Sequence, residues 1–271
     1  MKNKAIEYTR NYYNHVARSR SQNERLSWSY FEYQYLLKDL LKRLKSSARM
    51  NRLLDFGCAE GKELDRFLYY KKFNYKYSGV DISENLIEIA RKNKPDCDFR
   101  VIDGENIPFS SDYFDFVVCF GVLQYVTDRD NMIKELKKTL KEGGFVYIRE
   151  PMWIKEGAGT TTPYERGVSY KELSALLNKN NMRIIKKRFS HNTALFRLLS
   201  ALNYFGLYSN LMFWRHIFIF DYLINKLLTN RLVPVGFYRW FKIRPSTLNV
   251  IAVKRCVKNN EKEHKISHVN L

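Results

Sequence analysis

The 271-residue sequence is short of acid: 28 Asp and Glu stand against 47 Lys and Arg, for a formal net charge of +19. It is short of cysteine too. Cys58, Cys97, Cys119 and Cys256 are scattered, with neither paired nor metal-ligand spacing. That pattern argues against a disulfide scaffold, a zinc site or an iron–sulfur centre, and leads us to expect a reduced chain in the cytoplasm with no metal. The opening stretch "MKNKAIEYTRNYYNH" lacks an apolar core, so no signal peptide is expected. Leu198–Trp214 is free of charge, but Asn203, Gly206, Ser209 and Asn210 interrupt it. A spanning helix needs about 20 apolar residues, so a transmembrane reading is disfavoured. No internal repeat is visible.

The excess positive charge is unevenly spread. Residues 51–150 hold 16 basic and 18 acidic residues, whereas residues 1–50 hold 11 and 4, and residues 195–255 hold 9 and 1. A segregated charge of this kind points to an anionic partner such as nucleic acid, a membrane surface or a phosphorylated substrate.

From Asn51 onward, apolar runs of strand length alternate with helical patterns. "RLLDFG", "YKYSGVDIS", "CDFRVIDGE", "FDFVVCFGVLQYV" and "FVYIREP" read as strands, and "MRIIKKRFS" and "TLNVIAVKR" as a sixth and seventh. Between them, "GKELDRFLYYKK", "ENLIEIARKN", "DNMIKELKKTLKEGG" and "SYKELSALLNKNN" read as helices; the third closes on Gly143 and Gly144, and the fourth opens on a Ser169–Glu172 capping box. Strand and helix in this rhythm predict an α/β fold with a doubly wound, mostly parallel sheet. The first fifty residues look helical. More than fifty residues, 192–246, are surplus to the sheet; they are basic and rich in aromatics.

The stretch "DFGCAEG" follows the first strand and places Asp55, Gly57, Ala59 and Gly61 within seven residues. Small residues there let the backbone approach a ligand that a Cβ would exclude, at the strand end where open parallel sheets bind ligands. A dinucleotide turn of G-x-G-x-x-G form would present pyrophosphate to a helix start. Here an acid precedes the first glycine, and an acid suits an ammonium better than a phosphate. Asp81, about twenty residues on and with Ile82 beside it, is placed to take ribose hydroxyls. Asp103 can accept from an adenine amino group. A nucleoside joined to an amino acid is S-adenosylmethionine.

In the order of these motifs the sequence resembles the class I S-adenosylmethionine-dependent methyltransferases, of the small-molecule subgroup that includes quinone-biosynthesis enzymes. The likeness covers about Asn51 to Ser190 and the final strand. It implies a seven-stranded Rossmann-like sheet with the last strand antiparallel, S-adenosylmethionine as cofactor and S-adenosylhomocysteine as product. By the resemblance, Asp55, Gly57, Ala59 and Gly61 hold the methionine part, with Ala59 in place of the commoner glycine. Asp81 and Ile82 lie at the ribose, Asp103, Gly104 and Glu105 form the adenine turn, and the backbone at Phe120 and Gly121 lines the methionine end. Residues 51–191 with 247–256 would form the cofactor-binding catalytic domain, 1–50 a helical lid, 192–246 a helical cap and 257–271 a polar tail. Tyr8, Tyr12, Tyr13 and His15 are expected to fold over the cofactor.

Methyl transfer needs a general base only if the acceptor is a hydroxyl or an acidic carbon. Tyr125, Glu150, His191 and His15 are the candidates. No Asn-Pro-Pro-Tyr type motif is present, which argues against methylation of amide or base nitrogen. The basic, aromatic insertion suggests a small-molecule, lipid-linked or glycan-type acceptor, O- or C-methylated, with the protein peripheral at the inner face of a membrane. RNA methylation and non-catalytic cofactor binding are the alternatives.

Overall fold

The computed structural model describes residues 2–17, 50–61, 75–104, 106–152, 166–192, 219 and 245–255. The helix expected over "GKELDRFLYYKK" and nearly all of the 192–246 insertion lie outside these residues.

β4 (Phe114–Phe120) is the most apolar of the strands and the most buried, with six of its seven residues inside the core. Its neighbours follow from that. β1 (Asn51–Phe56) and β5 (Leu140–Pro151) flank it in parallel. β2 (Tyr75–Asp81) and β3 (Asp98–Val101) extend the sheet beyond β1, also in parallel. β6 (Met182–Asn192) and β7 (Pro245–Lys254) complete the other side, and β7 runs antiparallel to both β5 and β6. The sheet has seven strands in the order β3-β2-β1-β4-β5-β7-β6. The doubly wound architecture with an antiparallel last strand is therefore as the sequence led us to expect.

Successive strand residues point to opposite faces, and two cores result. Leu54, Phe56, Val117 and Val146 pack with Met132, Ile133 and Leu136 of α3 (Arg129–Thr139) and Leu173 and Leu177 of α4 (Tyr170–Lys179). Leu53, Phe116, Val118 and Tyr147 pack with Ile87 and Ala90 of α2 (Glu84–Asn93) on the other face. α2 begins at Ser83, whose hydroxyl accepts from Leu86 N at 3.2 Å, and ends two residues before Pro95. α4 opens on Ser169, whose hydroxyl accepts from Glu172 N at 3.1 Å. The Glu172 carboxylate turns instead to Arg129 and Arg166, at 2.7 and 3.3 Å.

Two boundaries differ from expectation. The apolar run 114–126 is not one strand: β4 stops at Phe120, Gly121 turns with φ +68°, and Leu123–Tyr125 form a 3-10 turn. Gly143 and Gly144 do not close α3, which ends at Thr139. They lie inside β5, where a Cβ on Gly144 would sit 2.9 Å from the Lys141 carbonyl oxygen and 3.2 Å from those of Phe114 and Asp115. α1 (Lys2–Ala17) confirms helix at the start of the chain. The apolar positions Phe31, Tyr35, Leu36, Leu40 and Leu44 lie outside the described residues. Among the described residues no helix is long and apolar enough to cross a membrane.

Candidate active site

The strand order reverses between β1 and β4, and a cavity of about 210 Å³ opens beyond the carboxyl ends of the parallel strands at that switch point. Its walls come from the turns after β1, β2, β3 and β4, the start of α3, and α1.

The β1 turn is shaped by its contact with β2. Gly57 N and Cys58 N both donate to the Val80 carbonyl, at 2.8 and 3.0 Å. That fold-back puts Gly57 at φ +79°, in the left-handed region that favours glycine. A Cβ there would lie 2.2 Å from Val122 Cγ2. Ala59 adopts φ +46° despite its Cβ, and its N–H donates to Asp81 Oδ2 at 2.9 Å. Asp81 Oδ1 accepts from Ser83 N at 2.9 Å, so one carboxylate ties the β1 and β2 turns together at the cavity wall.

The β4 turn is held from below. Gly121 N donates to the Arg149 carbonyl at 2.8 Å. Glu150, fully buried, accepts from Val122 N and Leu123 N at 2.9 Å each and from Gln124 N at 3.3 Å. Burial pushes its carboxyl up to about 7, against the three N–H bonds and Arg129, which pull the other way. Arg129, 3% exposed, donates to the carbonyls of Leu123, Arg166 and Gly167 and to Glu172. It fastens the 166–167 segment against the β4 turn, and Arg166 N adds a bond to the Gln124 carbonyl at 2.9 Å.

The expected site residues divide. Gly57, Ala59, Asp81, Ile82, Gly104, Phe120 and Gly121 all wall the cavity. Asp55 does not: it is 1% exposed, and its carboxylate takes the Tyr77 hydroxyl from the neighbouring strand. Gly61 does not either; a Cβ there would sit 2.9 Å from Phe99 Cζ, so this glycine serves packing. Asp103 is exposed, and its two oxygens accept from Asn106 N and Nδ2 at 2.9 and 3.0 Å. Glu105 lies outside the described residues. Of the candidate bases, Tyr125 walls the cavity, whereas Glu150 is turned to backbone N–H groups. His191 belongs to β6, at the far side of the sheet order from β1, and its side chain is outside the described residues. On α1, Tyr13 reaches the cavity and packs edge-on against Tyr125, with ring centroids 5.7 Å apart, while Tyr8 and His15 are exposed and Tyr12 packs on Tyr13. Ile6, Thr9, Asn131 and Met132 join the wall without having been singled out. The spacing of Ile6, Thr9 and Tyr13 along one helix face was a legible signal.

A seven-stranded sheet of this order, with its cavity at the β1/β4 switch point and an acid at the end of β2, defines the class I methyltransferase fold. Residues 54–148 match the family model described as a methyltransferase domain. The chain is 27% identical over 172 residues to the tRNA (carboxymethyluridine(34)-5-O)-methyltransferase of Saccharomyces cerevisiae, covering 61% of this chain and 54% of that protein. It is 33% identical over 100 residues to the demethylmenaquinone methyltransferase of Thermotoga maritima, covering 36% and 43%. The chain thus spans about half the length of these curated relatives. Phosphoethanolamine N-methyltransferase 2 of Haemonchus contortus, solved with S-adenosyl-L-methionine, shares the fold with a TM-score of 0.53 at 17% identity, over 84% of this chain and 57% of that one. By the match over residues 54–148 and by its fold, the chain is similar to the class I S-adenosylmethionine-dependent methyltransferases.

The residues present fit that cofactor. The Asp81 carboxylate stands at the β2 end, and Gly104 leaves room where a Cβ would meet Ile82 Cδ1 at 3.4 Å. Thr9 also belongs to the wall, and its hydroxyl, itself closed to solvent, has no partner among the described residues. Among those residues no cluster of three or more His, Cys, Asp or Glu could hold a metal ion.

Proposed function

We propose that the protein transfers a methyl group from S-adenosylmethionine to a small-molecule acceptor, with O- or C-methylation favoured. The observation that carries this is the cavity itself, walled by the turns after four parallel strands and covered by α1. The sulfonium supplies an already activated methyl group, so the protein's task is to align an acceptor and exclude water. Positioning of that kind contributes roughly 7–11 kcal/mol.

Asp81 is suited to the ribose, and the turn at Phe120 and Gly121 to the methionine end. Asp55 supports the fold of the β1–β2 pair through Tyr77 rather than meeting an ammonium directly. Tyr13 and Tyr125 form an aromatic wall. Tyr125 is the cavity-facing group able to orient an acceptor or take its proton. Glu150 acts as a positioning residue: it fixes the N–H groups of the turn that carries Tyr125. The relatives that act on demethylmenaquinone support a small acceptor. The expectations of a lipid-linked acceptor and a peripheral membrane position rest on residues 192–246, nearly all of which lie outside the described residues.

RNA is the second reading, favoured by the net charge of +19 and the relative that acts on tRNA. The test is calorimetry with S-adenosylhomocysteine, followed by incubation of the protein with radiolabelled S-adenosylmethionine and a cell extract divided into small-molecule and RNA fractions. Binding in the micromolar range with label in the small-molecule fraction is expected. Label in RNA, lost steeply with salt, would support the second reading. Binding without label in either fraction would support a non-catalytic cofactor-binding protein. No binding would overturn the assignment.

A further inference from the structure

α1 presents three residues to the cavity, Ile6, Thr9 and Tyr13. They fall one helical turn apart on a single face. The outer two mark its ends. Ile6 lies at the β3 turn, where a Cβ on Gly104 would be 3.5 Å from Ile6 Cγ2. Tyr13 lies at the β4 turn against Tyr125. Next to Tyr13, Asn14 anchors the helix over the β2 end: its Oδ1 accepts from Ser83 Oγ at 2.6 Å, and its carbonyl accepts from Asn85 Nδ2 at 2.9 Å. Thr9 therefore stands over the middle of the cleft, between an apolar end and an aromatic one.

Thr9 is 7% exposed, and its hydroxyl has no hydrogen-bond partner among the described residues. A helical threonine ordinarily can give its hydroxyl to the carbonyl one turn back. This one does not, and a buried hydroxyl left unpaired is unfavourable. Thr9 is a wall residue, so a turn about its Cα–Cβ bond to another staggered rotamer would bring the hydroxyl to a ligand filling the cavity, which would supply the missing partner.

We infer that Thr9 is a cofactor-binding residue whose hydroxyl donates to the ribose of the bound nucleoside. The inference rests on the S-adenosylmethionine reading above. Ribose is the part of that cofactor with hydroxyls in its middle, between a flat ring and the reacting end. Asp81 can serve ribose as an acceptor and never as a donor, and it already accepts from Ala59 N and Ser83 N. The ribose oxygens still need a donor, and Thr9 supplies one from the opposite element. The position of α1 over the cavity is thereby tied to the nucleoside.

The test uses Thr9→Val, which keeps shape and removes the hydroxyl, and Thr9→Ser, which keeps the hydroxyl. Calorimetry measures S-adenosylhomocysteine and its 2′-deoxy and 3′-deoxy analogues; melting is recorded without ligand. Thr9→Val is expected to bind S-adenosylhomocysteine roughly tenfold more weakly, and Thr9→Ser within about twofold of wild type. The loss should vanish with one of the two deoxy analogues. The unliganded melting temperature of Thr9→Val should equal or exceed that of wild type, since no protein hydrogen bond is removed. Unchanged affinity in Thr9→Val, an equal loss for all three ligands, or a clear fall in unliganded melting temperature would each overturn the inference. Failure of wild type to bind S-adenosylhomocysteine would overturn the cofactor reading itself, and with it this one.

Discussion

Glu150→Gln should flatten the pH dependence of stability. Glu150 is completely buried at the end of β5, and its carboxyl titrates at about 7 rather than at the ordinary 4.5. A group whose folded value is raised stabilises the fold while protonated, below the unfolded value, and that contribution is lost as pH rises through the folded value. Between pH 4.5 and about 7 the native state keeps a proton that the unfolded chain has released. Stability then falls by about 1.4 kcal/mol per pH unit, for a total of roughly 3 kcal/mol across the window. Glutamine has no proton to lose; its carbonyl oxygen can still accept from Val122 N and Leu123 N, while its NH2 group cannot accept from Gln124 N, a cost that does not vary with pH. Urea unfolding of wild type and Glu150→Gln at half-unit steps from pH 5 to 8 tests this, because titrations elsewhere cancel in the difference. The stability of the variant relative to wild type should rise by roughly 3 kcal/mol between pH 5 and pH 8, on top of a pH-independent offset from the lost Gln124 N acceptor. Parallel curves across the range would refute the reasoning.

Three further outcomes follow from the same geometry. Ala59→Gly relieves a non-glycine residue at φ +46°; relief of about 1–2 kcal/mol of strain, less up to about 1 kcal/mol of added unfolded-state entropy, should leave the protein more stable, read as a higher urea midpoint with unchanged affinity for S-adenosylhomocysteine. Arg129→Lys loses the guanidinium fork that reaches three carbonyls and Glu172, and should destabilise the fold by about 2–4 kcal/mol, with Tyr125 loosened enough that acceptor KM rises. Tyr125→Phe separates wall from base: retained kcat assigns the ring to packing, whereas a fall of about 10²-fold or more assigns the hydroxyl to proton transfer.

The order of strands and helices was legible because periodicity reports burial, and burial here follows from a sheet covered on both faces. The errors have physical causes. The run 114–126 is apolar throughout, but an apolar run records burial and not backbone conformation; it took Gly121 and the capture of its N–H by the Arg149 carbonyl to turn the chain into a 3-10 turn. Gly143 and Gly144 looked like a helix stop because the reason for Gly144, the close backbone of Asp115 on the neighbouring strand, is distant in sequence. Asp55 reads in the sequence as a ligand group because it stands at a strand end beside glycines, and the fold adds a contact that the sequence does not display. That contact is the Tyr77 hydroxyl, brought to Asp55 by the β1–β2 register that pairs Leu53 with Tyr77. Glu150 looked like a base because it ends β5; its partners are backbone N–H groups, which no sequence pattern displays.

The two halves of the site are specified by different means, and this governs what substitution can change. On the side proposed for the cofactor, Gly57, Ala59, Gly104 and Gly121 all adopt left-handed backbone and all wall the cavity. At Gly57 and Gly121 the chain leaves its strand so sharply that the N–H bonds back onto the next strand's carbonyl, Val80 or Arg149. Such turns are fixed by backbone conformation, tolerate few side chains, and leave a pattern in the sequence. On the side proposed for the acceptor, the wall is made by Tyr13 from α1 and Tyr125 from the β4 turn, and the latter is held in place by Glu150, Arg129 and the 166–167 segment. Those contacts join side chains from four separate regions, so no local spacing encodes them. Replacing Tyr13, or side chains in the segment that Arg129 clamps, should therefore alter which acceptor is taken, while the turns after β1 and β2, proposed to hold the nucleoside, are left in place.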